Sequence, residues 1–225
     1  MAFGNRLINT SAGASGPTGA TYIALQASPY DYVRGVAANG TDVMFLDDTN
    51  NRVTFSSINS WTTFYETQSI VAGISDFRAI TFQPQTNYFW SAPSGGGLTR
   101  IYRWTRGSQF SNAQIIPPFN TNDLSFSDEG ILASSGNTVA VYDSSNALIR
   151  TFTVSQHSGN LSVAWDGENM WCGGNSDNFI YKYDKLGTYL GVSINMNRQF
   201  DYLAYDGIYW YVMTSGGIYK YTALF

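Results

Sequence analysis

One stretch of the chain sets a pattern that the rest of the sequence repeats. The segment Leu161–Gly187 (LSVAWDGENMWCGGNSDNFIYKYDKLG) predicts three short strands, with Gly173–Asn178 as a loop, and Tyr189–Ile194 follows as a fourth strand. The turn Asp166-Gly167 is a hairpin signal because both residue types tolerate a positive φ. A single four-stranded antiparallel meander cannot bury both faces of its sheet, so further copies must stack against it.

Five copies of this unit can be aligned along the chain. An apolar residue recurs in the first strand at intervals of 39 to 44 residues, at Val36, Ile80, Leu124, Val163 and Leu203. An aromatic residue recurs in the third strand, at Phe55, Trp104, Tyr142, Tyr183 and Tyr221. A wide, flat side chain at one place in every copy suits the packing of sheet on sheet, so we interpret this series as core. The alternative is a set of stacked ligand platforms.

The ends of the chain supply a closing strand. The fifth copy stops at Phe225 after its third strand, and one strand, Thr21–Gln26, is left over near the N-terminus. We expect it to pair with the strand around Ile218–Tyr221, which removes an exposed sheet edge. The predicted fold is therefore all-β: a five-bladed β-propeller of four-stranded antiparallel blades, residues 17–225, whose last blade is closed by an N-terminal strand. Residues 1–16 are predicted to form an arm.

Composition and charge disfavour several functional classes. Aromatic residues make up 16% of the chain and charged residues only 12%, which is enough apolar material for a large core. The net charge of −4 argues against nucleic-acid binding, which needs a basic face. No apolar run approaches the 18 residues of a membrane span, so no membrane insertion is expected. The residues 1–12 lack the apolar core of a signal peptide.

The chain has few residues for metal or nucleophilic chemistry. Cys172 and His157 are its single cysteine and histidine, so a thiolate or histidine zinc site and an intrachain disulfide are excluded within one chain. We expect no metal and no other cofactor. His157 lies in a polar run and is expected to be an exposed loop residue rather than a catalytic base. The local basic series Arg100, Arg103 and Arg106 is interpreted as solvated charge, with an anion site as the alternative.

Two segments resemble known proteins. VAWDGENMWCGGNSDNFIYKYD and LAYDGIYWYVMTSGGIYKY, within Tyr32–Phe225, resemble the blades of bacterial and phage propeller proteins, which implies a fold and not an activity. The opening MAFGNRLINTSAGASG resembles the arm of tailed-phage structural proteins. This resemblance implies a non-enzymatic virion protein, made in the host cytoplasm, with a structural, decoration or adhesion role on capsid or tail. Residues 1–16 would bind other virion or assembly subunits through Phe3, Leu7 and Ile8.

The mouth of the central channel is the predicted place for a ligand. Loops that enter the first strands of a propeller surround this mouth. The residues predicted there are Arg34, Arg78, Asn122, Asp201, Tyr202, Asp31 and Asp76. Such a set suits a sugar or an anion, for example a host surface glycan. The competing interpretation, which we favour, is that the aspartates cap turns and pair with the arginines.

A small lectin-like propeller is accordingly the alternative function. A glycosidase ranks below it, because glycoside hydrolysis needs two convergent carboxylates and a substrate pocket. Asp123 is one further carboxylate near the mouth, but most connections in this chain are too short to build such a pocket.

Overall fold

The computed structural model describes residues 22–26, 33–47, 52–58, 64–69, 77–93, 99–108, 113–214 and 217–222. These residues form five four-stranded antiparallel sheets and contain no helix. None of the described segments could therefore cross a membrane as an apolar helix. The first strand along the chain is β1 (Tyr22–Gln26).

Blades 1 and 2 follow β1 directly. Blade 1 consists of β2 (Val33–Ala38), β3 (Asp42–Asp47), β4 (Arg52–Ser57) and β5 (Phe64–Ser69). Blade 2 consists of β6 (Phe77–Gln83), β7 (Tyr88–Pro93), β8 (Ile101–Trp104) and β9 (Ala113–Ile115). In both blades the strands pair in chain order, as expected for a meander.

Blades 3 and 4 have the same order. Blade 3 consists of β10 (Asp123–Phe126), β11 (Ile131–Ser135), β12 (Thr138–Tyr142) and β13 (Leu148–Thr153). Blade 4 consists of β14 (Leu161–Trp165), β15 (Met170–Gly174), β16 (Phe179–Tyr183) and β17 (Tyr189–Asn195).

The prediction of a loop from Gly173 was wrong by two residues, because Gly173 and Gly174 belong to β15. Both positions require glycine because neighbouring backbone lies too close for a side chain. A Cβ on Gly173 would lie 2.5 Å from the Phe179 carbonyl oxygen, and a Cβ on Gly174 would lie 2.1 Å from that of Asn160.

Blade 5 combines both ends of the described chain. It consists of β18 (Tyr202–Tyr205), β19 (Tyr209–Thr214), β20 (Gly217–Thr222) and β1. β1 pairs antiparallel with β20, with Gln26 opposite Ile218, so the predicted closure is confirmed. Thr222 lies opposite Tyr209, the residue that begins β19. Both terminal strands therefore meet at the end of the blade that carries the β18–β19 turn.

The core lies between the blades. Each of five clusters of buried residues joins two neighbouring sheets, since apolar side chains from both faces of every blade are removed from water. Between blades 4 and 5, Trp171 packs edge-on against Trp210 with ring centroids 5.6 Å apart. The cluster between blades 5 and 1, which includes Tyr211 and Phe45, closes the ring.

The aromatic series of the third strands is buried, as predicted, and one member is out of register. Trp104, Tyr142, Tyr183 and Tyr221 each pack against the preceding blade. Phe55 is also buried, but it packs toward blade 2, the following blade. Strand pairing places Ser56 at the equivalent position, opposite Val43. A shift of one residue moves a side chain to the other face of a sheet, so the alignment of Phe55 was wrong by one.

In blades 1, 4 and 5 the turn between the first and second strands is held by an acceptor side chain. The Asp166 Oδ1 atom accepts hydrogen bonds from the backbone N–H groups of Glu168 and Asn169. Asp206 and Asn39 cap the corresponding turns of blades 5 and 1 in the same way. This geometry confirms the hairpin signal at Asp166-Gly167.

Candidate functional site at the channel mouth

One end of the channel holds a small cavity. The last residues of the inner strands β2, β6, β10, β14 and β18 line it, among them Ala38, Phe82, Phe126, Trp165 and Tyr205. The cavity there has a volume of ≈ 50 Å³, which is room for a few water molecules. Pockets for small ligands occupy about 300–1,000 Å³, so a sugar does not fit at this end.

The other end brings together charged residues from several blades. Tyr202 begins β18 and is buried there, and its burial raises the pKa of its phenol. The carboxylates of Asp123 and Asp201 raise this pKa further, whereas the guanidinium groups of Arg34 and Arg78 oppose the rise. Four charged side chains from blades 1, 2, 3 and 5 thus act on one phenol.

Asp201 is an exposed carboxylate of this mouth. Partial removal from water raises the pKa of Asp201, and the positive charge of Arg34 partly offsets the rise. Asn122, which directly precedes Asp123, donates a hydrogen bond from its side-chain nitrogen to the Asn160 Oδ1 atom at 3.2 Å. The mouth is therefore polar, with both signs of charge, which suits hydrogen bonding to a polar ligand.

Several of the predicted functional residues cannot be compared with this geometry. Asp31 and Asp76, predicted at the mouth, lie outside the described residues, and so do the predicted arm anchors Phe3, Leu7 and Ile8. Their roles remain predictions.

Asp123 acts as a buried clasp between blades 3 and 4. Its side chain is fully buried, and its Oδ1 atom accepts the Leu124 N–H at 2.9 Å. Its Oδ2 atom accepts the Val163 N–H at 3.2 Å and the Ser162 hydroxyl, both from blade 4. Burial raises the pKa of Asp123 to about 8, although all three hydrogen bonds lower it. A carboxylate committed to three internal donors is not placed to act on a substrate.

The expectation that His157 is an exposed loop residue was wrong. Its ring is buried, its Nε2 atom lies 3.3 Å from the Asn160 carbonyl oxygen, and its Nδ1 atom lies 3.0 Å from the Ser176 Oγ atom. The same Oγ atom lies 3.4 Å from Nε2, so it is not aligned with the lone pair of either nitrogen. This pair does not have the geometry of an activated serine.

Two members of the basic series of blade 2 stack on aromatic rings. The Arg103 guanidinium lies 4.4 Å from the centre of the Tyr88 ring. The Arg106 guanidinium lies over Phe55 at 4.6 Å and forms an ion pair with Asp42 at 3.3 Å. These two arginines therefore contact rings and a carboxylate of the chain itself, whereas solvated charge was the preferred interpretation.

The described residues contain no cluster for a metal ion and no exposed thiol. Within the part of the chain that the structure describes, no three His, Cys, Asp or Glu side chains cluster to hold a metal ion. Cys172 is buried in the core between blades 3 and 4, and this burial raises the pKa of its thiol. A buried thiol of this kind packs as a small apolar group and is inert.

An arginine that was not predicted from the sequence links blades 4 and 5. The Arg198 guanidinium lies 3.6 Å from the centre of the Tyr219 ring. Its Nε atom donates a hydrogen bond to the Tyr221 hydroxyl at 2.7 Å. The sequence held one signal for this contact, since Tyr221 belongs to the aromatic series. Arg198 itself lies in the loop between β17 and β18, outside the repeated positions, so the spacing of the repeats did not predict this contact.

Comparison with solved structures supports the fold. Glutaminyl cyclase of Myxococcus xanthus has a TM-score of 0.71 at 8% identity, covering 91% of this chain and 97% of that chain. A chain of the nidogen/laminin complex has a TM-score of 0.62 at 10% identity, with coverages of 79% and 69%. Hydrazine synthase of Kuenenia stuttgartiensis has a TM-score of 0.51 at 11% identity, with coverages of 83% and 56%.

These similarities extend over most of the ring but carry the fold alone, because their sequence identities are so low. They support a five-bladed β-propeller and bear neither on a phage relationship nor on a role. No protein-family model and no curated protein matches the sequence.

Proposed function

We propose that this protein is a non-enzymatic structural and adhesion module whose two faces have separate tasks. The observation that carries the proposal is the polarity of blade 5. The last residue of β20, Thr222, lies opposite Tyr209 at the Asp206-Gly207 turn, and β1 begins at the same end. Tyr202 and the charged mouth lie at the opposite end of β18. One face thus suits attachment, and the other is available for recognition.

The geometry of the mouth supports binding rather than catalysis. Glycoside hydrolysis needs two accessible carboxylates about 5–10 Å apart. Of the acids placed by the described residues, Asp201 is accessible and Asp123 is committed to Ser162 and two backbone N–H groups. Arg34 and Arg78 add hydrogen-bond donors that recognise a polar ligand. In this proposal the ligand is a host surface glycan.

The setting in this proposal is the virion of a tailed phage, where residues 1–16 bind other virion or assembly subunits through Phe3, Leu7 and Ile8. The support for this setting is the resemblance of the N-terminal segment together with the polarity of blade 5. The protein would then act as a rigid head displayed on the particle.

The test compares the full chain with a variant that lacks residues 1–15 and keeps β1. Each is added to purified particles that lack the protein, and incorporation is measured by immunoblot and mass spectrometry. We expect the full chain to be incorporated and the truncated chain to stay in solution with an unchanged melting temperature. Equal incorporation of both would contradict attachment through the arm.

A matched variant tests the recognition face. Arg34→Ala combined with Arg78→Ala should leave incorporation intact and lower binding of the particle to host cells or to a glycan array. Release of sugar from a bound glycan by the purified chain would overturn the non-enzymatic part of the proposal.

A further inference from the structure

Two neighbouring blade interfaces have matching loops with different side chains. Val154 and Met196 follow the outer strands of blades 3 and 4, and they donate their N–H groups to the carbonyl oxygens of Asn137 and Asn178 at 2.7 and 2.8 Å. The two residues therefore occupy equivalent positions. Two residues further along, Arg198 stands at the interface of blades 4 and 5, and its equivalent at the interface of blades 3 and 4 is Gln156.

Both equivalent residues contact a hydroxyl of the buried aromatic series. Arg198 donates from its side chain to the Tyr221 hydroxyl, whereas Gln156 donates from its backbone N–H to the Tyr183 hydroxyl at 3.1 Å. The Gln156 side chain is exposed and reaches only its neighbour Ser155, at 3.4 Å. Unlike Arg198, Gln156 brings no cation to the tyrosine that lies two residues before Tyr183.

That tyrosine is Tyr181, the counterpart of Tyr219. Each lies two residues before the aromatic position of its third strand and opposite equivalent residues of the second strand, Cys172 and Val212. Tyr219 carries the Arg198 guanidinium on its ring. No cation among the described residues stacks on the ring of Tyr181, which is half-buried.

Two further rings and one carboxylate surround Tyr181. The ring of Phe179 lies 6.2 Å away at an inclination of 31°, and that of Tyr189 lies 6.2 Å away at 70°. The Asp177 Oδ2 atom accepts the Tyr181 hydroxyl at 2.7 Å, and its Oδ1 atom accepts the Phe179 N–H at 2.9 Å. An ionised carboxylate has about four acceptor positions, so Asp177 keeps capacity for further donors.

We propose that this group, Phe179, Tyr181 and Tyr189 with Asp177, is a binding site for the guanidinium of an arginine side chain from a partner protein. The molecule itself shows the binding mode one blade further on, where its own Arg198 lies flat on the equivalent tyrosine. The site is separate from the channel mouth and goes beyond the proposed function. Its partner is a protein that presents an exposed arginine to this edge of blade 4.

An arginine fits this site better than a lysine or a sugar. A guanidinium is planar and stacks on a ring face while its N–H groups bind a carboxylate in the plane, whereas an ammonium is a point charge. Asp177 supplies the negative charge and the three rings supply the faces. A neutral sugar can donate hydroxyl hydrogen bonds to this carboxylate, but it brings no positive charge to balance it.

The probe for the experiment is Nα-acetyl-arginine amide, titrated into the full chain with ¹³C-labelled tyrosine and phenylalanine rings. The Tyr181 signal is assigned from its loss in Tyr181→Phe. We expect weak, saturable shifts of the Tyr181 and Phe179 signals at one site per chain. The matching lysine amide should bind several-fold more weakly, and the uncharged citrulline amide should bind about tenfold more weakly.

Two reciprocal variants test the equivalence of the loops. Gln156→Arg should place a guanidinium of the chain's own on Tyr181 and abolish probe binding, with no loss of thermal stability. Arg198→Gln should uncover the Tyr219 ring, so that its signal also shifts with the probe, although more weakly than that of Tyr181 because Gly217 stands where the first site has Phe179. Because both variants leave the mouth and the arm intact, their result is independent of particle incorporation.

Unchanged probe binding in a folded Gln156→Arg variant would overturn the proposal. Equal shifts with arginine and citrulline amides would do the same, as would shifts of Tyr181 with a neutral monosaccharide and none with arginine. Tyr219→Leu is the matched control, because it alters the occupied site and should leave the affinity for the probe unchanged.

Discussion

Two interfaces, between blades 3 and 4 and between blades 4 and 5, have equivalent aromatic residues in their cores. They differ in the polar side chain that links one blade to the next. Tyr183 and Tyr221 fill the same buried place. At the first interface the buried carboxylate of Asp123 reaches across from the channel side. At the second, Arg198 reaches across on the outer side. The comparison indicates that the repeated sequence pattern determines the apolar packing. Each polar link between blades depends on a single residue that is not part of this pattern.

The aromatic core should be the larger contribution at both interfaces. We expect Tyr183→Ala and Tyr221→Ala each to lower the free energy of unfolding by roughly 3–5 kcal/mol, because each removes a buried ring and leaves a cavity. Urea denaturation measures both. If the two losses differ by more than about 2 kcal/mol, beyond the usual spread of core sites, the positions are not equivalent in energy and the comparison breaks.

The inner clasp should come next. Asp123→Ala leaves the Ser162 hydroxyl and the N–H groups of Leu124 and Val163 buried without their acceptor. The expected loss is about 3 kcal/mol, since an unsatisfied buried donor costs about 1–3 kcal/mol. Asp123→Asn keeps one acceptor oxygen and should lose less. An alanine variant as stable as the native chain in urea would show that the clasp contributes nothing.

The same clasp predicts a dependence of stability on pH. The pKa of Asp123 is raised to about 8 in the folded protein, whereas an aspartate in an unfolded chain titrates near 3.9. Between these values the folded state binds more protons than the unfolded state. The free energy of unfolding should therefore fall as the pH rises from about 4 to about 8. Thermal melts across this range, with Asp123→Asn as control, check it: parallel profiles would assign the slope to other groups.

The outer clasp should have the smallest effect. Arg198→Ala loses one charge-assisted hydrogen bond and one cation–π contact, for about 1–2 kcal/mol. Gln156→Ala at the equivalent position removes an exposed side chain and should change stability by less than about 0.5 kcal/mol. Chemical denaturation of the pair measures this asymmetry. Equal losses would mean that the interface of blades 3 and 4 has an outer clasp as well.

The sequence predicted the fold because its periodic features are local. Turn residues such as Asp166-Gly167 and the aromatic series recur at visible spacings, and one strand was left over to close the ring. Phe55 was misaligned because both faces of a blade are buried, so the alternation of side chains does not identify the face. Gly173 was assigned to a loop because a glycine required by close packing looks the same in sequence as a turn glycine.

The site was harder to predict because it depends on contacts between strands that are distant in sequence. Arg34, Arg78 and Asp201 each stand two positions before the apolar marker of their inner strand, and this spacing predicted that they share one mouth. The clasp at Asp123 depends on how closely adjacent inner strands approach, a distance that the sequence does not give. His157 has polar neighbours, which predicted exposure, but its ring packs against Gly174, where a Cβ would lie 2.9 Å from Nε2.

The pairing of β1 with β20 has a consequence for how the chain folds. Tyr22 and Tyr221, which face each other in this pair, are roughly 200 positions apart, so the contact is among the least local that the chain can make. During synthesis β1 therefore has to wait until β20 has been made before it finds its partner. Until the two strands pair, blade 5 is incomplete, and neighbouring nascent chains on one message can exchange β1. Slow synthesis or a stalled ribosome should therefore favour linked multimers over single rings.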